Sequence, residues 1–139
     1  MNFISILAAA VSTLVIGFVW YHPKVFGNAW LTEVNSAHKK EKNMPLILGV
    51  TFVLAVLAAF FLYTNVNFGG APDMPHGTPE YQTFKHGAFH GSFLGILIGI
   101  PIIVTNGLYE QRNFKYMAIN AGYWIVSFTI MGGIVCQWP

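Results

Sequence analysis

Charge is what this sequence has least of: Asp, Glu, Lys and Arg make up 9% of its 139 residues, against roughly a quarter in an ordinary soluble domain. A water-facing surface cannot be built from so few ionic groups, so much of the outer surface meets lipid. Cysteine is nearly absent as well, and the lone Cys136 excludes an internal disulfide and any cysteine-based zinc module. A formal net charge of +2, with seven Lys and Arg that form no basic stripe, excludes a nucleic-acid partner. Three catalytic signatures are missing too: a glycine-rich phosphate loop followed by Lys and Ser or Thr, a Ser-His-Asp set that the topology would gather, and paired carboxylates inside an apolar run. Soluble-type catalysis and an acid-relay proton pump lose their support.

What remains is apolar, 55% of the chain, and it is distributed in blocks. The intervals 1–23, 43–72, 86–109 and 116–139 contain no charged residue, and each holds a run near the ~20 residues that cross ~30 Å of hydrocarbon. Backbone groups in lipid must bond within their own segment, and the runs lack the alternation of a barrel, so each is a helix. The predicted fold is an all-α membrane protein, an antiparallel bundle of four transmembrane helices over 3–21, 45–66, 84–108 and 114–138, forming one membrane domain. The first run is expected to be retained rather than cleaved, because Met1-Asn2-Phe3 offers no basic n-region.

Lys24, Lys39, Lys40 and Lys42 lie in the first loop and Arg112 and Lys115 at the third, whereas the second has only Lys85 at its end. Cationic loops stay cytoplasmic, which predicts an inner-membrane protein with both termini outside. In the first loop Phe26, Ala29, Trp30 and Val34 recur at helical spacing, predicting a short amphipathic interfacial helix. The second loop, 69–79, is dense in Gly and Pro and is expected to be an irregular outer cap. Trp20, Tyr21, Trp30, Tyr109, Tyr116 and Trp138 fall near span ends, as an aromatic belt does.

Within the third span Gly87, Gly91, Gly95 and Gly99 recur every four residues. They form a strip without side chains on which another helix backbone can approach closely. The partner is either another span, with Ala9, Thr13 and Gly17 or Ala118 and Gly122 as matching faces, or a second copy. Pro101 follows and predicts a kink. His86 and His90 share one helix face, as two metal ligands would, with zinc the candidate ion and His76 and Cys136 the candidate helpers at the same outer border as Asp73 and Glu80. His22 lies at the opposite border. Asn106 and Asn120 flank the third loop at similar depth and are expected to bond across the hairpin.

The element Trp20-Tyr21-His22-Pro23-Lys24-Val25-Phe26-Gly27-Asn28-Ala29-Trp30, together with Pro101, Asn106, Glu110, Arg112, 119–123, 131–134 and Trp138, resembles the small bacterial integral membrane family filed as domain of unknown function 1761. The resemblance runs over nearly the whole chain and implies a four-helix membrane protein with no assigned activity, cofactor or catalytic residue. His22 stands where that family more usually has serine, and the His86/His90 pair is not a family-wide mark, so no metal role comes from the resemblance. The residues themselves favour an accessory or oligomerising membrane subunit whose partners are the bilayer and another copy or another membrane protein. Two other readings stay open: a small transporter or channel lined by His90, Asn106 and Asn120, and a membrane metal-binding protein or metalloenzyme built on His86 and His90.

Overall fold

The computed structural model describes residues 1–34, 43–68, 70–71 and 74–139. Lys39, Lys40 and Lys42 of the first loop, and Asp73 of the second, lie outside the described residues.

Four helices long and apolar enough to span a bilayer lie over the four charge-free intervals, the last two starting just before Lys85 and Lys115. They are α1 (Phe3–Trp20), α3 (Met44–Asn67), the segment Phe84–Tyr109 and α6 (Phe114–Gln137). A helix end leaves backbone N–H groups without partners, and each span opens on a short polar side chain that takes them up. Asn2 Oδ1 accepts from the Ile4 and Ser5 amides, Asn43 Oδ1 from Leu46, Thr83 Oγ1 from His86, and Asn113 Oδ1 from Tyr116. Pro45 sits in the first turn of α3, where its missing N–H costs nothing.

The third span is interrupted. It runs as α4 (Phe84–Leu94), a widened π turn at Gly95–Gly99, and α5 (Ile100–Tyr109). The Ile100 amide bonds the Gly95 carbonyl five residues back, and the next residue is Pro101, which has no N–H to continue the ladder. The break predicted from Pro101 is therefore a local widening one turn upstream of the proline, at the glycines.

The helices gather around α6, with α1 and the third span antiparallel to it and α3 parallel. Half of its apolar window is buried, 50%, against 17–28% for the other three. The tightest core lies where the start of α1 and the ends of α3 and α6 meet, with Ile6, Ala9, Ala59, Leu62, Val66, Met131 and Val135 in contact. Two polar links bind the same end. The Asn2 amide donates to Tyr63 Oη at 3.2 Å, and Asn67 Nδ2 donates to the carbonyls of Tyr63 and Val135 at 3.1 and 3.0 Å. The outward faces carry Leu7, Val11, Val15 and Phe18 on α1 and Leu46, Val50, Leu57 and Phe61 on α3, all exposed. Apolar patches of that extent mark a surface that meets lipid.

The first loop holds the short helix its pattern predicts: a π turn at Pro23–Gly27 leads into α2 (Asn28–Val34). Glu33 fastens α2 to the foot of α6, accepting a hydrogen bond from Asn113 Nδ2 and pairing with Lys115 Nζ at 3.7 Å. The second loop contains a two-residue antiparallel ladder, β1 (Gly70–Ala71) with β2 (Met74–Pro75).

Candidate metal centre

The ladder turns the chain back toward α3, and the following residues dock on its C-terminal end. Gly77 has φ +82°, and a Cβ there would stand 2.3 Å from the Asn67 carbonyl oxygen. Only glycine fits that turn. The turn sets His76 beside α3, with its Nδ1 3.1 Å from the Asn65 carbonyl oxygen. A carbonyl only accepts, so Nδ1 is the donor, and in the neutral ring this leaves the Nε2 lone pair for a metal, the arrangement typical of a histidine ligand and its outer-shell partner.

His86 and His90 come from the first two turns of α4, which Thr83 caps. Their ring centroids are 4.6 Å apart, and His76 approaches them at 5.1 and 4.9 Å. One ligand nitrogen from each of the three lies within 4.8 Å of the other two. Zinc–nitrogen bonds of about 2.0–2.1 Å in a tetrahedron place ligand nitrogens about 3.3 Å apart, so seating an ion needs a contraction of ~1.5 Å or less, within the reach of side-chain rotation. His86 Nε2 is shielded from solvent and has no hydrogen-bond partner. A buried polar atom left so costs about 1–3 kcal/mol, and an ion between the rings would supply its partner. The Tyr81 ring closes one side, 5.3 Å from His86.

His76 thus stands as an equal third member beside the predicted pair, and a predicted helper, Cys136, does not join it. Its thiol donates to the Tyr81 carbonyl at 3.2 Å, and its Cβ lies against Gly87. Gly87 follows His86 directly but turns toward α6, so the helix backbone separates the cysteine from the imidazoles. The sign that identifies His76 in the sequence is the His-Gly pair in a loop already rich in turn formers; its register against α3 has no sequence signal.

The glycine strip meets α6 of the same chain. A Cβ on Gly87 would lie 2.0 Å from the Gly132 carbonyl oxygen, one on Gly91 1.9 Å from that of Phe128, and one on Gly95 2.7 Å from Ile125 Cα. Gly99 stands apart, with nothing nearer than 4.0 Å, because the π turn rotates it off the contact. The faces expected to match the strip are engaged elsewhere: Gly17 packs on the Tyr123 ring and Gly122 on the Trp20 ring. The glycines lie instead against Ile125, Phe128 and Gly132.

The two asparagines do not meet. Asn120 Oδ1 accepts from Tyr21 Oη at 2.8 Å and its Nδ2 donates to the Tyr116 carbonyl at 3.0 Å, whereas Asn106 is exposed. The aromatic end of α1 outcompetes the hairpin partner because Tyr21 reaches across to α6. Trp20 does likewise, donating from Nε1 to the Ile119 carbonyl at 3.0 Å. Burial, with Tyr123 and Tyr116 nearby, pushes the Tyr21 phenol above the ordinary tyrosine range. His22 stays at this border, where its Nδ1 accepts from the Lys24 amide.

Four apolar helices of spanning length, the first three gathered around the last, define a small four-helix membrane bundle. The family described as Protein of unknown function (DUF1761) matches over residues 4–136, and the chain belongs to it. No curated protein and no solved structure matches the chain.

Proposed function

We propose that this protein binds a divalent transition metal ion, zinc by the best fit, at one border of the membrane through His76, His86 and His90. The reading rests on one observation: three imidazoles from two separate elements converge with ligand nitrogens within 4.8 Å. Three nitrogen ligands with a fourth position open is the arrangement of zinc sites that bind an exchangeable molecule. On this reading the border is the outer face of a bacterial inner membrane with both termini outside, an orientation that the cationic bias of the first and third loops supports. An oligomerising role through the glycine strip is the weaker reading, since Gly87, Gly91 and Gly95 are already taken up by α6. A path shared by His90 with Asn106 is also less favoured, because the two lie about 24 Å apart along one helical span.

The test is zinc titration of protein purified without a histidine tag and stripped with a chelator. One zinc per chain is expected, lost in His76→Ala and in His90→Ala. Affinity is expected to fall as the pH is lowered from about 8 to about 5, because each imidazole must be free of its metal-side proton to bind. Absence of zinc, copper and nickel binding, or binding that survives both substitutions, overturns the reading. Orientation is tested separately by a C-terminal alkaline phosphatase fusion, active only if that end lies outside.

A further inference from the structure

Beside the histidines, α3 and the α4–α5 span both lie on α6 but scarcely touch one another. The cleft between them has a volume of about 580 Å³, with Leu57 and Phe61 on one wall, Leu94 and Ile98 on the other, and Trp124 and Phe128 as its floor. Its upper end shares Phe61, Leu94 and Ile98 with a smaller groove of about 230 Å³ that His90 lines. Through these shared residues the two form one largely apolar channel that starts at His90. From His90 to Ile103, its deepest residue on that span, it follows about 20 Å of helix, more than half of the ~30 Å hydrocarbon thickness.

The head of this channel has a definite charge requirement. Three neutral imidazoles hold the ion, and among the described residues no carboxylate joins them. A divalent ion so held keeps its double positive charge and takes an anionic oxygen at its open position. We infer that the channel and the histidines form one binding site for a long-chain fatty acid, its carboxylate on the metal and its chain between α3 and α4–α5. The inference rests on the metal reading above. The π turn serves this site: at Gly99 the contact with α6 is loose, a Cβ there meeting only the Leu94 carbonyl oxygen and Trp124 Cβ at 4.0 Å, and the glycine borders the cleft.

The test places the protein in phosphatidylcholine vesicles with a diazirine-bearing palmitate analogue and maps photolabelled residues by mass spectrometry. Labelling of α3 and α4–α5 residues in the cleft is expected to be several-fold higher with zinc than after chelation. Gly99→Phe fills the cleft and is expected to abolish labelling while leaving zinc stoichiometry at one per chain, which also reports that the variant folds. Leu57→Trp, on the facing wall, supplies an independent block. Labelling that ignores zinc, that persists in both variants, or that is matched by a diazirine phosphatidylcholine overturns this inference alone. Failure to bind zinc at all overturns the metal reading and this inference together.

Discussion

Alanine placed at two glycines of one four-residue repeat is expected to act with opposite sign. At Gly91 the added Cβ meets the Phe128 carbonyl oxygen at 1.9 Å and its carbon at 2.6 Å. Both atoms are backbone, so no rotamer change relieves the clash, and α4 has to move off α6 by about 1.5 Å to restore ordinary contact. A radial gap of ~0.5–1 Å already forfeits a quarter to a half of each dispersion well. The displacement opens such a gap along the whole stripe, including Gly87 and Gly95. Overpacking of this kind costs about 1–3 kcal/mol, and the absence of any side chain to yield puts Gly91→Ala at the upper end. About 3 kcal/mol is roughly a hundredfold in the folded-to-unfolded ratio. At Gly99 the nearest atoms are 4.0 Å from the same Cβ, and the backbone is helical, so Ala is accommodated. Gly99→Ala is expected to gain about 0.5–1 kcal/mol from reduced chain entropy. Reversible unfolding in mixed micelles, followed by circular dichroism against denaturing detergent fraction, measures both. Equal effects at the two positions would refute the assignment of the strip to α6.

Three further outcomes follow from the same geometry. Gly77→Ala alters no ligand yet strains the turn that holds His76, and it is expected to weaken zinc binding by about 10–100-fold, as loss of an outer-shell support does; unchanged affinity in the titration would show that His76 is not held by that turn. Burial raises the folded-state pKa of Tyr21 above the ordinary tyrosine value of about 10, so the stability it contributes is full below about pH 10 and declines as the pH rises above it. Alkaline unfolding curves of Tyr21→Phe are expected to show a shallower loss than the parent, from a baseline lowered by about 1 kcal/mol for the missing bond to Asn120, and parallel curves would count against this. Asn67→Leu removes the side-chain bonds to the Tyr63 carbonyl within α3 and to the Val135 carbonyl on α6 and is expected to cost about 1–2 kcal/mol in the micelle assay, with no change in zinc stoichiometry.

The four spans and α2 are legible in the sequence because their cause is compositional. Charge-free intervals longer than the hydrocarbon thickness admit one backbone solution, and helical spacing of Phe26, Ala29, Trp30 and Val34 admits one reading of the first loop. Partnerships are less legible. The glycine strip announces a close approach without saying to what: its partner face on α6 contains one glycine, Gly132, at the point where the backbones cross, and larger residues whose side chains turn aside elsewhere. Asn120 pairs with Tyr21 across 99 positions of sequence, a choice made by the reach of a phenol from the end of α1. The histidine cluster was half legible: spacing on a helix reveals His86 and His90, but the third imidazole is delivered by a left-handed glycine docking on the Asn67 carbonyl, and no periodic pattern encodes that contact.

The dominance of α6 in the packing bears on how the molecule is made. It is the last of the four spans to leave the ribosome, yet it is the common neighbour on which the others close. Until it arrives, α1 and α3 can pair, but α4 waits in the membrane with a bare backbone groove turned toward lipid. Assembly of the four spans is therefore gated by α6, and a nascent chain stalled before residue 114 leaves its third helix unclaimed.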